Sequence, residues 1–172
     1  MKWIIFTGTW RLTNREVEND VRAAAREVYE RGDGLVTGGA TGVDYFAMDE
    51  FLKLNPDCTK IRIFIPARLE HFVADYRKNW MPAPLTKADI DNLASVLNVI
   101  KERNPAALFE VKKDSGNISQ EEYDLRHNEE VIFSDEVYAF QVNKSSGTQD
   151  TLDKARAAGL PITLHKQYTI AE

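Results

Sequence analysis

Cysteine is nearly absent from this chain of 172 residues, where Cys58 stands alone. A single thiol excludes an internal disulfide and any multi-cysteine metal centre, and it makes a reducing cytoplasm the expected compartment. No apolar run approaches the ~20 residues a membrane-spanning helix needs, so no membrane partner is expected. Met1-Lys2-Trp3-Ile4-Ile5-Phe6 reads as a strand from the outset and is too short for a signal-peptide core. Positive charge is also in deficit. Lys and Arg number 22 against 27 Asp and Glu, a formal net charge of −5. That balance argues against a partner whose many phosphates must be neutralised, nucleic acid above all. His71, His127 and His165 show no metal-ligand spacing, so no metal is expected. Neither a phosphate-loop lysine nor the Gly-x-Gly-x-x-Gly spacing occurs, and no cofactor is expected. Repeats, low-complexity tracts and linkers are missing too. The length then suits one well-cored domain over residues 1–172.

What is present is a succession of strands and helices punctuated by glycine. Lys2 to Thr7 reads as a buried strand. Thr13 and Glu16 have capping-box spacing ahead of the helical period Val17, Val21, Ala24, Ala25 and Val28. Gly34 to Thr37 is a second strand, Gly42 to Leu54 a second helix and Lys60 to Ile65 a third strand closed by Pro66. That alternation predicts an α/β fold with a parallel sheet between helical layers. The middle is less regular. Roughly residues 68–118 read as a helical insertion after the third strand, with Pro82 and Pro84 breaking one helix and Thr86/Asp89 capping the next. Ala107 to Val111 is a candidate short strand, and Lys112 to Asn117 a polar turn. Ser119 and Glu122 cap a helix running to about Phe133. Glu136 to Val142 is a strand, Gly147-Thr148 opens the last helix, and Ile162 to His165 closes the sheet.

Three glycine-bearing turns follow apolar strands: Thr7-Gly8-Thr9, Gly38-Gly39-Ala40-Thr41-Gly42-Val43-Asp44 and Ser145-Ser146-Gly147-Thr148. A strand ending in small residues leaves the N–H groups of the next helix bare, and such an end suits phosphate or carboxylate. With strand order 3-2-1-4-5 the order reverses between the Phe6 and Phe140 strands. Ligands of open parallel sheets bind beyond such a reversal, so the three turns would converge on one crevice. Asp44 is read equally as a ribose acceptor or as a first-turn acid complementing its helix dipole. Ser145, Ser146 and Thr148 are read as a phosphate cradle, with ordinary N-capping as the alternative. Asp150 is read as a general base or, more readily, a helix-dipole acid. Arg11 and Arg126 are candidate phosphate clamps. Their alternatives are a solvated Arg11 and an Arg126 paired with Glu122, Asp124, Glu129 or Glu130.

Taken in this order, Thr7-Gly8-Thr9-Trp10-Arg11, the Gly38 to Asp44 turn, Arg126-His127-Asn128 with Asp135, and Ser146-Gly147-Thr148 resemble the SLOG superfamily. That Rossmann-like group contains the YspA/YpsA-related proteins, DprA and the LOG phosphoribohydrolases. The likeness to the YspA/YpsA-related branch is the nearer one and covers residues 2–67 and 125–165. It implies a three-layer Rossmann-like fold and a nucleotide-related ligand held by Gly8, Thr9, Arg11, Gly38, Gly39, Ala40, Thr41, Gly42, Asp44, Asn128, Ser145, Ser146, Gly147 and Thr148. LOG enzymes split the N-glycosidic bond of nucleoside monophosphates with an Arg and a Glu beside a Pro-Gly-Gly-x-Gly-Thr turn. Here Asn143 to Thr148 replaces that turn, Arg126 is the nearest match to the Arg, and Asp150 stands where the Glu would be.

The expected function is therefore nucleotide binding. One alternative is N-glycosidic hydrolysis with Asp150 and Arg126 as catalytic residues. Another is a non-catalytic sensor or scaffold whose Phe72, Tyr76, Trp80 and Met81 contact a partner protein. The superfamily also implies a homodimer as a candidate assembly.

Overall fold

The computed structural model describes residues 1–79, 84–111 and 116–172. The expected partner contacts of Trp80 and Met81, the break at Pro82 and most of the turn expected at Lys112 to Asn117 lie outside the described residues.

Six parallel strands form one sheet: β1 (Trp3–Gly8), β2 (Gly34–Thr37), β3 (Ile61–Ile65), β4 (Leu108–Glu110), β5 (Glu136–Val142) and β6 (Ile162–Tyr168). Their order is β4-β3-β2-β1-β5-β6, not the expected five strands in order 3-2-1-4-5. The difference is β4, which pairs with β3 through Ile63–Leu108, Phe64–Phe109 and Ile65–Glu110. Residues 68–118 are thus not a purely helical insertion. They return an edge strand to the sheet, short enough to leave only three residues of unpaired edge.

Among the described residues six α-helices cover the two faces. They are α1 (Arg15–Glu30), α2 (Val43–Leu54), α3 (Leu69–Asn79), α4 (Lys87–Arg103), α5 (Gln120–Phe133) and α6 (Ser146–Ala157). Strand side chains alternate between faces. Ile4, Phe6, Ile63 and Phe140 meet the buried side chains of α1 to α4. Ile5, Val36, Phe64 and Ala139 face Val131 of α5 and Leu152 and Ala155 of α6. Phe72 and Tyr76 of α3 and Ile90, Leu93, Leu97 and Ile100 of α4 join the first of these cores. Among the described residues no helix is long and apolar enough to cross a membrane.

Local chemistry accounts for the helix starts. Thr86 with Asp89 and Ser119 with Glu122 each form a reciprocal capping box. The first helix departs from expectation. Asn14, not Thr13, is its cap, and the Asn14 side chain accepts from the Val17 N–H at 2.9 Å.

The sheet order reverses between β1 and β5, whose neighbours run in opposite directions from the centre. Gly8 ends β1 there, opposite Phe140. A Cβ at Gly8 would lie 2.4 Å from the Phe140 carbonyl oxygen and 2.4 Å from Val43 Cγ2. Only a glycine allows β1, β5 and α2 to meet this closely. Gly8→Ala is expected to destabilise the fold by about 1–3 kcal/mol in urea denaturation, the usual cost of overpacking; an unchanged midpoint would reject this account of the junction.

Candidate functional site

Helix α5 carries the polar centre of the molecule. Tyr123, Arg126, His127 and Glu130 recur at intervals of three and four and share one helical face. That face closes over the carboxyl ends of β1 and β2. The Arg126 side chain is 7% exposed and that of Glu130 is 3% exposed. Arg126 Nη1 donates to the Gly38 carbonyl, and the guanidinium lies 5.3 Å from the Tyr123 ring centroid. Its Nε stands 3.4 Å from Glu130 Oε1, close enough for an ion pair. The two are not aligned for a hydrogen bond, however, and both atoms are buried without one. The reason for Gly38 follows. A Cβ there would lie 2.3 Å from Arg126 Nη1 and 2.7 Å from Glu130 Oε1, so the guanidinium occupies the space a side chain would need.

The Gly38 to Asp44 turn does not present a row of bare N–H groups. Gly39 N–H donates to Thr37 Oγ1 at 3.0 Å, Ala40 N–H to Asp44 Oδ2 at 3.1 Å and Thr41 N–H to Tyr76 Oη at 3.2 Å. Val43 N–H donates to the Thr9 carbonyl at 3.1 Å. Four donors are therefore committed inside the protein, and what the turn offers the pocket is the Asp44 carboxyl. Burial pushes Asp44 up to about 6 against the pull of Arg126 and of N–H bonds from Ala40 and Gly38. Glu130 is pushed further, to about 8, by burial and by the Asp44 charge, with Arg126 and Lys154 opposing. Near pH 7 the buried guanidinium thus faces one mostly ionised and one mostly protonated carboxyl.

The end of α6 is different. Asn143 and Lys144 both have positive φ, at 48° and 53°, and Ser145 N–H closes the turn onto the Val142 carbonyl at 3.0 Å. Two consecutive left-handed residues are uncommon outside glycine and turn the chain sharply into the helix. Ser145 Oγ is engaged with Thr148 Oγ1 at 2.8 Å and makes no cap bond to the backbone. Ser146 and Gly147 are exposed, and a Cβ at Gly147 would meet nothing within 4 Å. The first N–H groups of a helix lack intrahelical acceptors, so this end keeps an open, partially positive face.

Beside it, His127 Nδ1 lies 3.0 Å from Asp150 Oδ2, which Lys154 Nζ also approaches to 2.7 Å. Burial and the Arg126 charge push His127 down to about 4 despite the Asp150 hydrogen bond. A neutral ring then donates Nδ1–H to Asp150 and turns Nε2 towards Arg126 Nη2, 3.4 Å away. Burial raises the Asp150 carboxyl, but the hydrogen bonds from Lys154 and His127 outweigh it and leave it below the usual carboxylate value. Asp124, His127 and Asp150 offer ligand atoms within 4.8 Å of one another. The Lys154 ammonium, 3.9 Å from Asp124 Oδ1, takes the position a cation would want between the two acids.

A pocket of about 290 Å³ at the β1–β5 reversal takes in Asp44, Arg126, His127 and Glu130 and the open end of α6, while Asp124, Lys154 and the expected catalytic Asp150 stand outside its lining. Of the residues expected from sequence, Gly8, Gly38, Ala40, Asp44, Arg126, Ser146 and Gly147 line it. Thr9, Gly39, Thr41, Gly42 and Thr148 do not. Thr9 and Thr41 act through the backbone contacts above, and Thr41 Oγ1 also donates to the Trp10 carbonyl at 2.7 Å. Gly42, at φ +73°, sits where a Cβ would be 2.3 Å from the Thr9 carbonyl oxygen. Arg11 and Ser145 line a neighbouring pocket. Asn128 is exposed, rotated about 200° around the helix from Arg126. Phe6, Thr7, Trp10, Phe72, Tyr76, Gln120, Tyr123, His127 and Glu130 complete the lining. The expected role of Phe72 and Tyr76 in contacting a partner protein does not fit their burial here. The signal that could have found the α5 residues is their spacing after the Ser119 capping box.

The architecture is Rossmann-like. No family model matches the chain, and no curated protein matches it in sequence. Solved structures do. DNA processing protein A from Helicobacter pylori, described for its single-stranded DNA binding mode, superimposes with a TM-score of 0.67 at 21% identity. The match covers 99% of this chain and 66% of that one, so the chain spans just under two thirds of that neighbour. TM1055, a structural-genomics target, matches with a TM-score of 0.53 at 13% identity over 94% of this chain and 72% of its own. At these identities the likeness is one of fold.

The titrations have a consequence for stability. Glu130 has a higher pKa folded than unfolded, so its contribution is fully present below about 4.5 and is lost as pH rises towards about 8. His127 has the opposite sign, and its contribution is lost as pH falls from 6.5 towards about 4. Between pH 6.5 and 8 the Glu130 effect stands alone of the two. Stability is expected to fall across that window by at most about 1.4 kcal/mol per pH unit, and Glu130→Gln is expected to flatten it. Denaturant titrations at pH 6.5, 7.25 and 8 measure this, and equal slopes in both proteins would contradict the assignment.

Proposed function

We propose that the chain binds a nucleotide or nucleotide-derived small molecule, with its phosphate at the N-terminus of α6 and its nucleoside in the 290 Å³ pocket. One observation carries this reading. The open N–H end at Ser146 and Gly147 borders a pocket lined by Phe6, Trp10, Phe72, Tyr76 and Tyr123 and bearing the Arg126, Asp44 and Glu130 side chains. Aromatic faces suit a base, buried polar groups suit its edge or the ribose, and a helix N-terminus suits phosphate. The committed donors of Gly39, Ala40, Thr41 and Val43 argue against a second phosphate cradle there and leave that turn the role of presenting Asp44. The likeness in fold to a single-stranded-DNA-binding protein keeps an oligonucleotide in view. The net charge of −5 and the nucleotide-sized pocket favour the small molecule.

Gly147→Val separates these cases. Its side chain would project into open space, so stability is expected to stay within about 0.5 kcal/mol. Nucleoside monophosphates, titrated by calorimetry, are expected to bind about tenfold more weakly, a difference of about 1.4 kcal/mol. Equal affinity in the two proteins would reject the phosphate position. Tight binding of an oligonucleotide that free nucleotides do not displace would favour the nucleic-acid case.

A second reading, N-glycosidic hydrolysis of the bound nucleotide, is favoured by the proton held on Glu130 up to about 8. A carboxyl protonated at neutral pH can donate to a departing base, whereas Asp150, held as a carboxylate by Lys154 and His127, cannot. Free base is expected from at least one nucleoside monophosphate, followed by chromatography, with the release lost in Glu130→Gln. No release from adenosine, guanosine, cytidine or uridine monophosphate would remove this reading and leave binding intact.

A further inference from the structure

Trp10 and Ser146 are shared by two neighbouring cavities. On one side lies the 290 Å³ pocket, with the buried Nε of Arg126 and Oε1 of Glu130 lacking hydrogen-bond partners at its edge. On the other lies a pocket of about 220 Å³ bordered by Arg11, Asn143 and Ser145. The N-terminus of α6 is their common wall. The first pocket is at the small end of the range for ligand sites and is filled by a nucleoside. A ligand longer than a monophosphate must therefore cross Ser146 into the second.

Among the described residues lining that second pocket, Arg11 is the sole cation. The Asn143 amide is not available, because its side chain is spent on the Ile170 backbone at 2.8 and 2.9 Å. Arg11 is weakly engaged. Its side chain is 43% exposed, and its ion pair among the described residues is a 3.5 Å approach to the Glu172 carboxylate. An exposed contact of this length contributes little, while a phosphate offers a guanidinium two parallel charge-assisted bonds. Glu172 is the group an incoming anion would displace.

We infer that the molecule bound here is a nucleoside diphosphate or a larger phosphoanhydride, its first phosphate at Ser146 and Gly147 and its second beside Arg11. This rests on the nucleotide reading above and adds the phosphoanhydride as the feature the two cavities select. Arg11 is then a specificity residue and not part of the nucleoside pocket.

Calorimetric titration of the full chain with paired ligands (AMP and ADP, GMP and GDP, UMP and UDP) reads the inference directly. The preferred diphosphate is expected to bind about tenfold tighter than its monophosphate, the gain a new charge-assisted contact supplies. In Arg11→Gln the two are expected to bind equally, and Arg11→Lys, a point charge without the planar fork, to recover part of the difference. Both substitutions are at an exposed position, and a denaturation midpoint checks that the fold is intact. Equal affinities for mono- and diphosphate in the native protein would overturn the inference while leaving nucleotide binding standing. So would an Arg11→Gln variant that weakens both ligands alike. Binding of neither series would overturn the nucleotide reading, and this inference with it.

Discussion

A buried guanidinium holds the centre of this molecule together. Arg126 reaches from α5 across the sheet end to the Gly38 carbonyl, with Glu130 on its own helix and Asp44 on α2 sharing its field. A buried cation costs several kcal/mol unless its charge is met. Two carboxyls stand near it, and both cannot ionise cheaply. The outcome is a division of labour: Asp44 gives most of the countercharge near neutral pH, and Glu130 keeps its proton. The rest follows from that arrangement. Gly38 has no side chain because the guanidinium is there, and the Ala40 N–H is drawn onto the Asp44 carboxylate that shares its field.

Local features of the chain were readable in advance, and long-range ones were not. The capping boxes at Thr86 and Ser119 involve residues three apart, so sequence spacing alone reveals them. The core strands announce themselves by apolar runs. The edge strand β4 has only three residues and depends on pairing with β3, more than forty positions earlier in the chain. Its presence changes the strand order without moving the reversal beside β1. The same distinction separates Thr13 from Asn14, where two adjacent residues both suit a cap and the backbone turn decides between them.

The site shows the limit more sharply. A glycine-rich turn before a helix reads as an anion hole, yet here Tyr76 Oη, thirty-five residues away, and the Thr9 carbonyl take two of its donors. Nothing in the motif itself could reveal those partners. Asn128, adjacent to His127 in sequence, points to solvent because the helical period carries it past the pocket. Arg126, Gly38 and Gly147 were legible from residue type and position. Glu130 was legible only as one of four acids that Arg126 could pair with; its place in the pocket, like that of Tyr123 and Tyr76, was not, since acids and aromatics on a helix face are usually surface or core, and only the assembled fold distinguishes a third role.

The turn entering α6 carries a quieter consequence. Asn143 uses both its amide nitrogen and its oxygen on the Ile170 backbone, while its own N–H reaches the Tyr168 carbonyl. A side chain thus continues the β5–β6 ladder for one more rung beyond the strands and holds two left-handed residues in place. A loop held in this way has already lost its conformational freedom during folding. An anion bound at Ser146 and Gly147, as proposed, would meet donors that need not be ordered by the encounter, so its binding energy would not be spent on organising the loop.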